Sequence, residues 1–445
     1  MTRISPSRRR PDRPATGHRK DGGTKGKARA GSAATAGRAG VVRAKRNVAA
    51  KAAEDMWALT YDMHEEPWAR STGFVKKRVP RPTLDESVDP LDASRVILRV
   101  VYTGFCGSDA GIWFRTSFKG MIHQSLRSEK KSTRVIGHEV LGVVEETGSV
   151  ASARFGYRKG QLCAAESHIV CGKCHQCLMG QTHVCINEKI LGISRDGGFA
   201  EYIKLPATVL WRTNRRRIRP EVAAIQEPFG NAVHASTAVD MRGKTVAIFG
   251  CGAIGQFTIL IARALGAARI IGVEPNPGNA RRARRLGADH VVEFTPNPGS
   301  RDAWRGNPEV IREVVESAGR DGADVCIEMA GFNTSVNNAF QSVRRGGEVV
   351  LFGIKSGDFR LEDFQRLIVK GITTRSIIGR HIFETWEITR SLLESRNNGI
   401  QEKIWSVILN KGKGTIVDYR RFDPKSFEKK ILSHPKVLIR WSDDR

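Results

Sequence analysis

The sequence predicts an α/β protein centred on a doubly wound parallel sheet, and three observations carry that prediction. From Lys244 the chain reads KTVAIFGCGAIGQFTILIARALGAARIIGVEPN, joining an apolar β-branched run, a glycine-rich turn, a helix-spaced segment and a second strand. Three further apolar runs follow in GADHVVEF, GADVCIEMAG and GGEVVLFGI, each bounded by Gly or Asp with helical segments between. Such alternation is the pattern of parallel strands joined by crossover helices. At 445 residues, 40% hydrophobic and 27% charged, the chain has room for two or three domains with sizeable cores. No apolar run approaches the ~18 to 20 residues of a membrane-spanning helix, so no membrane partner is expected.

The turn after the first strand holds Gly250, Gly252 and Gly255 as G-x-G-x-x-G, and the second strand ends in Glu274. The glycine pattern alone is weak evidence. Strand, glycines, helix, strand and terminal acid together read as a dinucleotide-binding fold. The first glycine permits a tight turn, the second lets the backbone approach a pyrophosphate, and the third lets helix pack on strand. The helix N-terminus then faces the phosphates. Glu274 suits the ribose hydroxyls and repels a 2′-phosphate, which favours NAD over NADP. Arg281, Arg282, Arg284 and Arg285 follow closely and weigh the other way.

The net charge of +27 is unevenly placed. Residues 1–55 carry 15 Lys and Arg against 4 Asp and Glu and contain no aromatic residue. Such a segment cannot bury enough apolar surface to offset ordering, so it reads as a disordered basic tail. A solvated extension is the preferred reading. An arm that holds polyanions non-specifically and an organelle transit peptide are the alternatives.

Eight cysteines occur, four of them in CGKCHQCLMGQTHVC as Cys171, Cys174, Cys177 and Cys185. No secretory signal is evident, which points to a reducing, cytoplasmic setting, and the spacing is too tight for a disulfide framework. Paired C-x2-C turns can aim four thiolates into one tetrahedron, a closed structural zinc site, with Lys173 and the loop amides offsetting the negative charge. The surrounding residues are nearly neutral, which argues against a zinc knuckle gripping nucleic acid. Upstream lie VVYTGFCGSDAGIW, with Cys106, Ser108 and Asp109, and VIGHEVLGVVEETG, with His138 and Glu139.

Taken in order, these motifs resemble the zinc-dependent medium-chain dehydrogenase/reductase family from about Met56 to the C-terminus. ESHIVCGKCHQCLMGQTHVC, GFAEY, EPFGNAVH and GRHIFETW are similar to stretches of its threonine-oxidising branch, with polyol dehydrogenases as the runner-up. The resemblance implies a mostly β, chaperonin-10-like catalytic domain over 56–228, an NAD-binding Rossmann domain over 229–380, and a return to the catalytic domain over 381–445. It implies a catalytic zinc held by Cys106, His138 and Glu139, with Glu227 of EPFGNAVH as an acid that enters and leaves the coordination sphere. With the cysteine loop this makes two Zn2+ per chain. Ser108 becomes the first member of a proton relay. Gly252, Ile254, Glu274, Gly353, Ile354, Ile377 and Ile378 are implied to hold the cofactor. The substrate is then a small polar alcohol, and the family's habit implies a homodimer or homotetramer.

Three departures qualify the match. The branch places a relay histidine five residues after the zinc cysteine, and here that residue is Gly111. His123, in an inserted-looking stretch, and His168 are candidates to replace it. Asn279 stands where the family has an arginine, so a neighbouring arginine is expected to serve. The closing stretch FDPKSFEKKILSHPKVLIRW is several residues short. Two other classes stay open at this point: a nucleic-acid-associated scaffold with a basic arm, and a catalytically weakened relative that binds NAD.

Overall fold

The computed structural model describes residues 55–443 apart from positions 298, 300, 320, 355 and 356. The basic tail therefore lies, but for its last residue, outside the described residues.

The central strand Thr245–Phe249 is buried along all but its first residue. It pairs in parallel with Arg269–Val273 on one side and Ala323–Glu328 on the other. The six-stranded sheet continues with His290–Val292 beyond the former and with Val343–Leu351 and Thr373–Ser376 beyond the latter. Every pairing is parallel, and the strand order is 3-2-1-4-5-6, that of a doubly wound dinucleotide fold. The strand order reverses at the first strand, with the fourth laid on its other side, and this opens a crevice at their carboxyl ends. The helix Ala253–Ala264 starts at that crevice and buries Phe257, Ile259 and Ile261 against the sheet.

The other large sheet has seven strands and is mostly antiparallel. Its longest strand, Arg95–Phe105, pairs with Glu139–Thr147, with Tyr202–Pro206 and with the C-terminal strand Val437–Arg440. The short closing stretch thus still returns to this sheet. Its helix Pro424–Ser433 inserts Phe427 among Phe105, Trp113 and Phe422, and Glu428 accepts the Trp113 indole N–H at 2.8 Å. These aromatic rings bury a large apolar area in tilted and edge-to-face contacts. A three-stranded sheet, Val75–Pro80, Asp55–Asp62 and Thr133–Val135, lies in the same half of the chain.

The inserted-looking stretch folds as the helix Lys119–Glu129, burying Ile122 and Leu126. His123 Nε2 sits 2.8 Å from the Tyr61 hydroxyl, with its ring against Tyr61 and Trp68. That imidazole is committed to packing the helix against the strand Asp55–Asp62. The four-cysteine loop is closed at its base by the strands His168–Ile169 and Lys189–Ile190.

Candidate active site

Cys106 leaves the end of the strand Arg95–Phe105 and caps the helix Gly107–Trp113. His138 and Glu139 enter the neighbouring strand, where Glu139 pairs opposite Gly104. This register brings one sulfur, one imidazole nitrogen and one carboxylate oxygen within 4.8 Å of one another. A Cβ at residue 104 would lie 1.8 Å from Glu139 Oε2, so glycine there makes the carboxylate's room. Gly137 has φ +91°, and a Cβ on it would strike the Phe199 ring at 2.1 Å. The chain can deliver His138 in this position only with glycine before it.

Asp109 holds the set in place. Its Oδ2 accepts the Cys106 amide at 2.9 Å, and its Oδ1 lies 3.2 Å from His138 Nδ1. That arrangement leaves His138 Nε2 facing inward, 3.3 Å from Ser108 Oγ. Burial opposes charge on His138, but Asp109 and the Cys106 sulfur outweigh it and raise its pKa well above the ordinary value. A soft thiolate, an imidazole and a carboxylate suit a zinc-like cation, and three protein donors leave a fourth position open. The donors therefore fit a catalytic metal.

The C-terminal return adds a partner that sequence reading missed. Lys436 Nζ donates to both Glu139 oxygens, at 2.6 and 2.7 Å, and to the Phe105 carbonyl at 3.1 Å. Lys436 is buried, yet the Glu139 and Cys106 charges keep its pKa above the ordinary lysine value. Glu139 is thus shared between a lysine and the space beside Cys106.

Glu227 lies on the helix Gln226–Thr237 and groups with Glu166 and His168 rather than with the Cys106 set. Its Oε1 accepts from Ser167 Oγ at 2.7 Å and pairs with Arg380 at 2.9 Å. Its Oε2 is buried without a hydrogen-bond partner among the described residues, as suits an acid with one oxygen free for an intermittent ligand. Arg380 is the hub. It donates through Nε to Glu166 Oε2 at 2.8 Å, through Nη2 to Glu166 Oε1, and through Nη1 to Asn231 at 2.7 Å. Trp386 Nε1 also donates to Glu166 Oε2, at 2.8 Å. Burial alone would raise the Glu166 pKa, but the Arg380 charge and hydrogen bonds hold it well below the carboxylate range. The Arg and Trp of GRHIFETW therefore converge on one buried acid.

Of the two replacement relay candidates, His168 joins this cluster, with Nδ1 3.0 Å from Ser167 Oγ and 3.1 Å from Arg380. Position 111 itself is closed, because a Cβ there would lie 2.9 Å from Ser117 Cβ.

The four cysteine sulfurs also gather within 4.8 Å. Cys174 and Cys185 are 3.9 Å apart. That is far beyond an S–S bond of about 2.05 Å and near the ~3.8 Å edge of a tetrahedron with metal–sulfur bonds of about 2.3 Å. The Lys173 backbone amide, rather than its ammonium, is the chief cause that lowers the Cys171 thiol pKa to about 6; the Cys174 amide and Asn187 assist. Four closely spaced thiol donors with amides aimed at one of them fit a structural zinc.

The predicted cofactor residues all leave carboxyl ends of the parallel sheet. Gly250 has φ +96°, and a Cβ on it would press on Ala330 at 2.9 Å. A Cβ on Gly255 would lie 2.0 Å from the Gly250 carbonyl, whereas one on Gly252 would meet nothing within 4 Å. The outer glycines are thus required by the fold, and the middle one keeps space open at the helix N-cap. That space fits a pyrophosphate. Glu274 accepts the Cys251 and Asn276 amides at 2.8 and 2.9 Å, and each oxygen keeps a further lone pair for a ribose hydroxyl. Asn279 accepts from Arg282 at 2.8 Å, so an arginine does reach that place. Ile254 opens the glycine helix and Ile377 is half-buried on the core. Gly353 packs against Gly331, with Ile354 beside it, and Ile354 and Ile378 are exposed at the same edge.

A family model described as alcohol dehydrogenase GroES-like domain matches residues 92–215, and one described as zinc-binding dehydrogenase matches residues 253–395. L-threonine 3-dehydrogenase of Caldanaerobacter subterraneus subsp. tengcongensis is 33% identical over 356 residues, covering 79% of this chain and 91% of that protein. L-threonine 3-dehydrogenase of Pyrococcus abyssi is 37% identical over 326 residues, covering 72% and 84%. Among solved structures, 2R,3R-butanediol dehydrogenase from Bacillus subtilis aligns with a TM-score of 0.68 at 23% identity, covering 86% of this chain and 99% of that one. An alcohol dehydrogenase from Thermus sp. ATN1 aligns equally well at 24% identity, with the same coverage. The structural likenesses speak for the fold alone. No described helix is long and apolar enough to cross a membrane.

Proposed function

Because the chain belongs to the zinc-dependent medium-chain dehydrogenase/reductase family, we propose that it oxidises L-threonine to 2-amino-3-oxobutanoate, with NAD as the hydride acceptor. It is a zinc-dependent alcohol dehydrogenase; the proposal concerns its substrate, its choice of cofactor and the residues that act. The observation that carries the site assignment is the convergence of Cys106, His138 and Glu139 donors within 4.8 Å at one end of a single strand pair. The relatives at 33–37% identity support threonine as substrate.

Cys106, His138 and Glu139 would hold the cation, which would supply the Lewis acidity that lowers the pKa of the substrate hydroxyl, and a nicotinamide bound at the glycine-rich edge would supply the hydride acceptor. The chain supplies the rest. Asp109 orients His138 and fixes which nitrogen faces the substrate. Ser108 Oγ, 3.3 Å from that nitrogen, accepts the hydroxyl proton and passes it outward. With position 111 closed by Ser117, the next acceptor is water or His168. Lys436 keeps Glu139 from carrying an unpaired buried charge whenever the carboxylate is not a ligand. Gly252 leaves room for the pyrophosphate, while the Glu274 carboxylate disfavours a 2′-phosphate. We further infer a homodimer or homotetramer in a reducing, cytoplasmic setting, which sedimentation of the purified protein tests in its first part.

The deciding experiment is an NADH absorbance assay over L-threonine, L-serine, sorbitol and butanediols, repeated with NADP. L-threonine with NAD should give the highest kcat/KM. Activity confined to polyols would move the chain to the polyol branch, and preference for NADP would remove the assigned role of Glu274.

A further inference from the structure

We propose that His183, His234 and His381 form a third metal site, which takes a divalent transition cation of the zinc, cobalt, nickel or copper kind. The three side chains come from distant parts of the chain. His183 lies in the 3-10 turn Thr182–Val184 of the cysteine loop, His234 on the helix Gln226–Thr237, and His381 next to Arg380. Their rings meet at centroid separations of 4.2, 4.4 and 5.3 Å, and one nitrogen from each lies within 4.8 Å of the others.

The nitrogens are arranged as ligands. His234 Nδ1 is 3.0 Å from the Gly379 carbonyl. A carbonyl can only accept, so Nδ1 carries the proton and the neutral ring keeps its lone pair on Nε2. His381 Nδ1 faces the Glu384 carboxylate at 3.9 Å. Metal-binding histidines commonly anchor their second nitrogen on such a carbonyl or carboxylate. His183 Nδ1 is buried and has no hydrogen-bond partner among the described residues. If the rings only packed on one another, apolar rings would serve as well and no buried nitrogen would be stranded. Imidazole donors select transition cations over Mg2+ or Ca2+, and metal–nitrogen bonds of about 2.0–2.1 Å are within reach of nitrogens gathered this closely. Three ligands leave a fourth position for water.

None of these residues belongs to the Cys106 set or to the four-cysteine set, so occupancy is counted separately from both. A cation here would tie the cysteine loop to the helix bearing Glu227 and to the backbone beside Arg380. It would thereby fix the position of the arginine that binds Glu166.

The test uses the full chain, loaded with zinc and dialysed against a weak chelator until two zinc equivalents remain, which is the baseline. It is then titrated with Co2+, followed by elemental analysis and visible absorption. Wild type should take up one equivalent beyond the baseline, with a spectrum free of thiolate charge-transfer bands. His381→Ala and His183→Gln should each weaken that equivalent by at least about tenfold and leave the baseline metal in place. The His381 side chain is 37% exposed, so its variant has little packing to disturb. No uptake beyond the baseline overturns the proposal. So does uptake that carries thiolate bands, or that keeps its affinity in both variants.

Discussion

The two candidate metal-ligand sets around Cys106 and in the cysteine loop are built in opposite ways. The cysteine loop draws all four donors from Cys171 to Cys185, closed at its base by a two-stranded pair, and its own amides face the sulfurs. The Cys106 set draws donors from two strands, an orienting acid from the first turn of a helix, and a lysine 297 residues away from the glutamate it neutralises. A set made by one short loop needs only that loop to bring its donors together. A set assembled across a sheet depends on the whole domain and keeps a position open for chemistry.

The comparison breaks most sharply at the cysteines. Cys106→Ser should reduce turnover to background while NAD affinity and melting temperature stay near wild type; undiminished turnover would show that the reacting centre lies elsewhere. Cys174→Ser should do the reverse. One zinc equivalent should be lost and the melting temperature should fall, because metal affinity in closed thiolate sites contributes directly to folding. Activity should then decline only in step with the folded fraction, and loss of turnover without loss of stability would mean that the cysteine loop takes part in the chemistry.

Glu166→Gln sharpens it next. Breaking a buried ion pair costs about 3–5 kcal/mol, and Arg380 would keep its charge without its main partner. The pH dependence follows from the sign. Because Arg380 holds the folded Glu166 pKa well below its unfolded value, the pair's contribution is complete above the unfolded carboxylate pKa of about 4.3. It is lost as pH falls through the folded pKa. Denaturant titrations below about pH 4 should therefore show a shallower acid loss in the variant than in wild type. Parallel curves would mean that another group governs the acid limb.

Asp109→Asn should have the smallest effect. Loss of a residue that orients a ligand typically costs 10- to 100-fold in metal affinity or activity, so kcat/KM should drop within about that range while the cysteine-loop zinc is retained. An unchanged zinc affinity and rate would show that Cys106 and Glu139 position His138 unaided.

The legible parts of the site were those whose signal is short in sequence. Gly250, Gly252 and Gly255 act within one turn, and the reasons for each are local: a positive φ, a free approach and a 2.0 Å contact. Cys106, His138 and Glu139 could be matched by motif, yet their common end on one sheet followed only from the register of Gly104 with Glu139. Arg380 and Glu166, 214 residues apart, gave no pairing signal. Nor did Lys436, which reads as one of many lysines. His123 and His168 looked equally eligible as relay members, but packing commits His123 to Tyr61 and brings His168 to Arg380. Gly111 read as a missing histidine, and the structure adds that Ser117 fills the space that side chain would need.

By itself the sequence determined the doubly wound sheet, the four-thiol loop and the glycine-rich turn at which we place the cofactor. Each rests on periodicity or spacing within about thirty residues, where chain stereochemistry leaves few options. Only the tertiary structure decided which charges meet: Lys436 with Glu139, Arg380 with Glu166 and Glu227, and the three histidines with one another. Burying a charge or an imidazole is tolerated only where a partner of complementary chemistry is already present, and in a chain of this length that partner can come from any element the core brings near.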